Sequence, residues 1–504
     1  MFNFEINIDR ALSKKSFLTS LKDKFIEEKM NNVLGFILLI LCSGLIAAAV
    51  SFGGIKVGGV LGALLIGSPL IIASMFNLKF GISFTLVLSF IFLGVKRVLD
   101  DIPLGILMDV MILVMLFGLF IRQIGEKDWS FAKNPITKIV LVWIVYNFLE
   151  VANPWAESRL AWLYTIRNLI GFSIMYFLLM YSINSKKYIF WLIKLWIFMM
   201  TLAMLYGYYQ EFFGLQQFEL NWIMETPGRY ALLYQAGRFR MFSFFSDPLV
   251  YGFSMAFTSM LCFVLAGAPL KPWKKIFMVG LGCMMLYGML FSGTRAAYIL
   301  PLAGFLFYTV ITFKKRILIA GVGLIFVLMI LLNLPSSNPN LVRLQSAFRP
   351  GDDPSYQVRV RNQEFIQPYI QSHPMGGGLG STGEWGKKFS PWTPLAAFPP
   401  DSGYIRIAVE MGWIGLFLFC LLLFTVFKVG IKDYMRIKDP KLKVISLGML
   451  TMLYSLVIAN FPQEAIGQYP INYLFFVAIA IINKCRQFDS EELVESKMEV
   501  PVVS

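Results

Sequence analysis

The sequence predicts an all-α polytopic membrane protein of about 14 transmembrane helices, within a range of 12–14, carrying one large extracytoplasmic loop. Three observations predict it. The 504 residues are 57% hydrophobic and only 15% charged, where a soluble domain of this size is about 25% charged. The apolar residues gather into runs of bilayer length, about 17–25 residues each. One polar stretch, 334–402, interrupts that pattern for far longer than a simple connection between spans requires.

Taken in order, residues 1–32 form a lysine-bearing cytoplasmic tail with no apolar core and no small-residue cleavage site. The first span is therefore expected to serve as the export signal, and Phe17, Leu18, Leu21 and Phe25 give the tail an amphipathic helical pattern or a simply solvated one. The bundle 33–333 holds apolar runs near 33–50, 58–76, 80–95, 104–121, 136–152, 165–183, 187–207, 244–266, 276–292, 297–313 and 317–333. Three more follow the insert within 403–484, near 403–427, 445–462 and 469–484, and an acidic tail, 485–504, is expected to be unstructured.

Charge orients the bundle. With the N-terminus inside, the inner segments carry 28 Lys and Arg against 16 outside, and the bias is sharpest in the short loops where retention of positive charge operates. Both termini are thus expected in the cytoplasm, with the 334–402 loop and a second long segment, 208–243, outside. The formal charge of +15 follows from this arrangement beside anionic lipid and implies no nucleic-acid partner. Cys42, Cys262, Cys283, Cys420 and Cys485 show neither disulfide nor metal spacing. No internal repeat points to a transporter built from two halves.

The outward-facing segments hold arginines, and an arginine at a membrane edge calls for an anionic partner. Arg238 and Arg240 lie in GRFRMFSFFSDPLVYG, Arg295 in the short turn FSGTRAAYIL, and Arg359 and Arg361 on an expected surface helix over 356–372. A guanidinium fork matches phosphate oxygens, and several would neutralise a diphosphate. The plainer alternative for each is a lipid headgroup or a neighbouring carboxylate such as Asp247 or Glu364. For Arg343 and Arg349 that alternative is preferred, and Arg406 with Glu410 reads as an i,i+4 structural pair. The HPMGGGLGSTG run is a tight turn for close backbone approach, with no strand ahead of it to make a dinucleotide fingerprint. His373, just before Pro374, reads as a helix-end residue. Asp352, Asp353, Glu384 and Asp401 read as solvated acids. No spacing calls for a metal or another cofactor.

Four motifs occur in one order: Arg240 followed by Pro248 in RMFSFFSDPLVYG, then SGTRAAYIL, then a loop arginine ahead of the HPMGGGLG turn, then DSGYIRIAVEMGWIGLFLF. With the large outer loop in its place, this order resembles the O-antigen ligase and polymerase superfamily across roughly 230–425. The resemblance implies a GT-C-like glycosyltransferase of the bacterial cytoplasmic (inner) membrane. Such an enzyme takes glycan from undecaprenyl diphosphate and passes it to an acceptor hydroxyl on a glycan or a lipid-linked acceptor. It also implies membrane lipids and polysaccharide assembly complexes as partners. By the same resemblance Arg240 and Arg295, with Arg238 beside them, bind the diphosphate, and Arg359 or Arg361 is the loop arginine. Where family ligases have a His-Asn pair before the tyrosine of the exit helix, this chain has Asp401-Ser402 before Gly403-Tyr404. Asp401 is then the candidate base, Glu364 a weaker one, and Tyr404, Gly377 and Gly378 are expected around the acceptor. The departure favours an O-antigen or exopolysaccharide polymerase working with inversion over a ligase to lipid A-core. A lipid-linked-glycan flippase is the rival of another class, and an assembly scaffold a third reading.

Overall fold

The computed structural model describes residues 67–98, 104–235, 237–335 and 354–498, with scattered positions within 36–51 and 342–348. Arg343, Arg349, Asp352 and Asp353 lie outside the described residues, as do parts of the first two expected spans. The chain divides into a unit of residues 1–73 and a unit of residues 74–504.

The second unit is almost wholly helical. Helices α1 (Leu78–Lys96), α2 (Leu104–Glu126), α3 (Pro135–Leu149), α4 (Arg159–Ser182) and α5 (Lys186–Phe213) precede the short α6 (Gln217–Met224) and α7 (Pro227–Leu233). A two-residue hairpin, β1 (Tyr234–Gln235) and β2 (Arg238–Phe239), leads into α8 (Pro248–Ala266), α9 (Pro272–Phe291), α10 (Leu300–Thr312) and α11 (Lys315–Asn333). The outer loop contributes α12 (Pro354–Ser372), α13 (Gly383–Phe389) and α14 (Pro394–Ala397). It is followed by α15 (Gly403–Arg436), α16 (Pro440–Ala459) and α17 (Ile471–Met498). Among the described residues 10 helices are long and apolar enough to cross a membrane. Helices α11 and α17 fall on two more of the expected spans.

Asx-Pro and Asx-initiated turns set the helix starts. Asn134 accepts the Thr137 amide at 2.8 Å, Asp247 accepts those of Leu249 and Val250 at 2.8 and 3.0 Å, and Asp439 accepts that of Lys441 at 2.8 Å, each just ahead of a proline at the first helical position. This is why α8 begins at Pro248 rather than near 244, where the apolar run starts. Helices α8, α16 and the first half of α17 are apolar all round and buried at the centre, while side chains such as Phe117 and Phe198 stand outward, as lipid-facing residues do. The acidic tail differs from its expectation: α17 continues to Met498. Asp489 explains this, since its buried carboxylate accepts the Lys438 and Asp439 amides at 3.0 and 2.8 Å and pairs with Arg486 at 2.9 Å.

Hydrogen bonds between helix ends bring residues 238–247, 292–300 and 403 to one end of the bundle. Helices α8 and α9 form a hairpin, so Pro248 and Phe291 share an end, where the Met241 amide donates to Phe291 O at 3.0 Å and Thr294 Oγ1 to Pro248 O at 3.2 Å. Ser455, near the end of α16, donates to Leu300 O at 3.3 Å, and the Gly403 amide donates to Asn460 O at 3.0 Å. The starts of α8, α10 and α15 therefore lie together with the end of α16.

The outer loop is locked into that end by a break in α15. Gly412 has φ 68° and ψ −176°, a conformation essentially confined to glycine. A Cβ there would sit 1.8 Å from Pro374 O. The break and the HPMG turn satisfy one another: the Ile414 amide donates to Pro374 O at 3.3 Å and the Gly377 amide to Val409 O at 2.8 Å. Tyr146 donates to Met411 O at 2.8 Å, and Asn153 Nδ2 to Met375 O at 2.8 Å and Gly376 O at 3.3 Å. Interrupted helical backbone is tolerated in a membrane protein where neighbouring protein re-satisfies it, as these bonds do.

Candidate active site

Two groups of side chains occupy this end. The first is built around Arg240. Its Nε donates to Ser292 O at 2.9 Å, one Nη to Leu232 O at 3.3 Å and the other to Thr294 Oγ1 at 2.9 Å. The guanidinium thus straps the 238–247 segment to the SGT turn, and Arg295 is the next residue, half-buried at the start of a 3₁₀ helix, Arg295–Ile299. Asp247, the carboxylate weighed as a partner for Arg240, caps α8 instead. Arg238 pairs with Glu211 at 3.4 Å, while its Nε and one Nη are buried without a hydrogen-bond partner among the described residues.

Arg97, which the sequence does not single out, holds this group in shape. It is buried, donates to the carbonyls of Ser243 (2.8 Å) and Phe245, and lies 4.5 Å from the Trp222 ring and 4.4 Å from the Phe242 ring. Burial pulls its pKa down to about 10 while Glu219 pulls the other way. Glu219, fully buried, accepts from Gln210 at 2.6 Å and Tyr206 at 3.1 Å. The amide oxygen of Gln210 takes the Ser243 amide at 2.7 Å. Lying directly after Lys96 at a helix end, Arg97 has the appearance of an ordinary flanking charge.

The second group is on the loop. Arg359 and Asp401 approach to 3.8 Å across a cleft of about 170 Å³ that Asn362, Ser402 and Phe461 also line, and both are partly open to solvent. Arg361 and Glu364 are exposed on α12 and do not line this cleft. Tyr404 donates to Val457 O at 2.9 Å, anchoring α15 to α16. Gly377 and Gly378 belong to the interlocked turn: a Cβ on Gly377 would meet Leu395 at 2.2 Å, and one on Gly378, at φ +90°, would meet Ala156 at 2.5 Å. His373 is a helix-end residue, as its place before Pro374 implies, stacked on Tyr369 at 3.9 Å with Trp155 at 5.3 Å.

Arg406 does more than pair along its helix. It reaches Glu410 at 3.1 Å and Glu464 at 2.5 Å, and Glu410, buried, also accepts the Gly380 amide at 3.0 Å and the Thr382 hydroxyl. One ion triad thereby ties α15, the GLGSTG turn and the 460–470 connection together. Sequence reasoning passes over Glu464, although it is the sole charged residue of NFPQEAIGQYP.

Residues 280–420 match the O-antigen ligase family model. The match spans the SGTR turn, the outer loop and the broken part of α15, and it supports assignment of the chain to the O-antigen ligase and polymerase superfamily. Arg240 and its strap precede it. No curated protein matches the chain significantly. The family indicates ligase- or polymerase-type function, that of a glycosyltransferase-like enzyme acting on lipid-linked glycans, and with the apolar helices it suggests a multi-pass bacterial membrane protein.

Proposed function

We propose that the protein is a polymerase-type transferase on the outer face of the bacterial cytoplasmic membrane, with both termini inside, moving a glycan from undecaprenyl diphosphate to an acceptor hydroxyl with inversion. The observation that supports this best is the strap of Arg240 across the Ser292–Thr294 turn to Arg295, at the bundle end that also carries Arg359 and Asp401. Guanidinium groups held by protein acceptors are oriented before a ligand arrives, which is the preorganisation that electrostatic catalysis requires.

In the reaction the donor C1–O bond breaks and its electron pair leaves on the diphosphate, stabilised by Arg240, Arg295 and Arg359. The acceptor oxygen forms the new bond to C1 from the opposite face, and its proton passes to Asp401. Asp401 sits beside Arg359 in an open cleft, where its carboxylate can accept a hydrogen bond from an acceptor hydroxyl that enters.

The test is glycan analysis of a deletion strain complemented with wild type or with Arg240→Ala, Arg295→Ala or Arg359→Ala, each checked for its level in the membrane. Single repeat units accumulating on the acceptor support a polymerase, and polymer accumulating on undecaprenyl diphosphate assigns a ligase. Unchanged glycan in all three variants would overturn the diphosphate reading in favour of a flippase or scaffold.

A further inference from the structure

Gly403 and Asn460, next in sequence to Ser402 and Phe461 of the Asp401 cleft, line a separate cavity of about 440 Å³. It falls within the range of about 300–1,000 Å³ usual for small-ligand sites. Among the described residues the charged ones lining it are Glu384, Arg406, Glu410 and Glu464, so their formal charge is negative, and Arg406 is already bridged between two of those carboxylates. A diphosphate would be repelled there. The remaining polar groups are neutral. Asn168, on α4, and Gln468, in the 460–470 connection, are half-buried, and their side-chain amides make no hydrogen bond to any described residue. Each amide offers two donors and an acceptor. Trp143, Trp385 and Tyr469 also line it, with the Trp385 ring packed on Tyr164 at 4.7 Å and the Tyr469 ring on Phe92 at 4.9 Å.

We infer that this cavity binds an uncharged, hydroxyl-rich sugar of the acceptor glycan, apart from the site of the donor diphosphate. Amides suit vicinal hydroxyls. The carboxylates held by Arg406 add fixed acceptors without freeing a positive charge for phosphate. The inference rests on the transferase reading for the role of the sugar, but not for its binding.

The full chain in lipid nanodiscs is titrated with oligosaccharides released by mild acid from the cell's own envelope glycan, following tryptophan fluorescence, with inorganic pyrophosphate as competitor. A saturable change is expected, reported by Trp143 and Trp385 in the cavity lining and reduced in Trp385→Phe. Affinity should be about tenfold weaker in Asn168→Ala and Gln468→Ala, the loss expected for one hydrogen bond to a desolvated partner. Pyrophosphate should not compete. Gln468→Glu, which keeps the shape and removes donors, should weaken binding likewise if the alanine variant proves unstable. Unchanged affinity in the folded amide variants, or competition by pyrophosphate, overturns the inference.

Transfer from purified polyprenyl-diphosphate glycan separates the two readings. The amide variants should raise the KM for acceptor about tenfold and leave that for donor alone. Transfer with an unchanged acceptor KM would refute the cavity assignment while the transferase reading stands. Sugar binding that responds to Asn168 and Gln468, without transfer by wild type, would do the reverse.

Discussion

Replacing Gly412 by alanine tests whether the outer loop is held by the break in α15. At φ 68° and ψ −176° an alanine carries a backbone cost of about 1–3 kcal/mol. The added methyl also lands 1.8 Å from Pro374 O and 2.6 Å from the Gly376 amide, so the turn must withdraw. Withdrawal gives up the Ile414–Pro374 and Gly377–Val409 bonds, each contributing about 0.5–1.5 kcal/mol. The total is about 2–6 kcal/mol, enough to undock the loop without unfolding the apolar bundle. Limited proteolysis of the purified protein should cut within 354–402 far faster than in wild type, while the helical circular dichroism signal is kept. Gly280→Ala on α9, where a Cβ meets nothing within 4 Å, is the neutral control. A Gly412→Ala protein whose loop resists protease as wild type does would refute the interlock.

Glu410→Ala should cost about 3–5 kcal/mol in thermal or denaturant unfolding, because Arg406 and the Gly380 and Thr382 donors all lose a buried acceptor; an unchanged midpoint would show that the triad is not structural. Arg97→Met should cost about 2–4 kcal/mol by orphaning the carbonyls of Ser243 and Phe245, and should raise the donor KM through misplacement of Arg240. A stability loss with donor KM untouched would uncouple the two. Asp401→Asn should change stability by less than about 1 kcal/mol, since its pair with Arg359 is 3.8 Å long and solvated, yet lower turnover about a hundredfold. A folded Asp401→Asn enzyme at full turnover would remove Asp401 as the base.

Features that depend on local pattern are legible in the chain itself. Apolar run length locates the helices, and the order of motifs points to the family. Asx-Pro pairs mark the helix starts once the cap geometry is visible. His373 and the Arg406–Glu410 pair read correctly from their position and spacing. Long-range partnership is not legible. Nothing about Arg97 predicts the carbonyls of Ser243 and Phe245, which lie far along the chain, and nothing in NFPQEAIGQYP predicts that Glu464 completes an ion triad with α15. The run EMGWIG reads as continuous helix because a single glycine costs an apolar helix little, and only the approach of Pro374 shows why α15 breaks there. The end of the chain misleads for the same reason: the acids of the tail look solvated until Asp489 is seen to take two amides ahead of α16.

The interlock at Gly412 also limits how this protein can be taken apart. Beyond its local bonds, the turn from Pro374 to Gly377 is held by Asn153, Val409 and Ile414, none of which belongs to the 334–402 segment. An excised loop would carry its glycines at positive φ without the Asn153, Val409, Glu410 and Ile414 bonds that seat them. Grafting the loop alone onto a related bundle would likewise leave a socket cut for a different key. A chimera made to exchange the loop must carry 146–153 and 403–415 with it, so the unit of exchange is the loop together with its seat in the bundle.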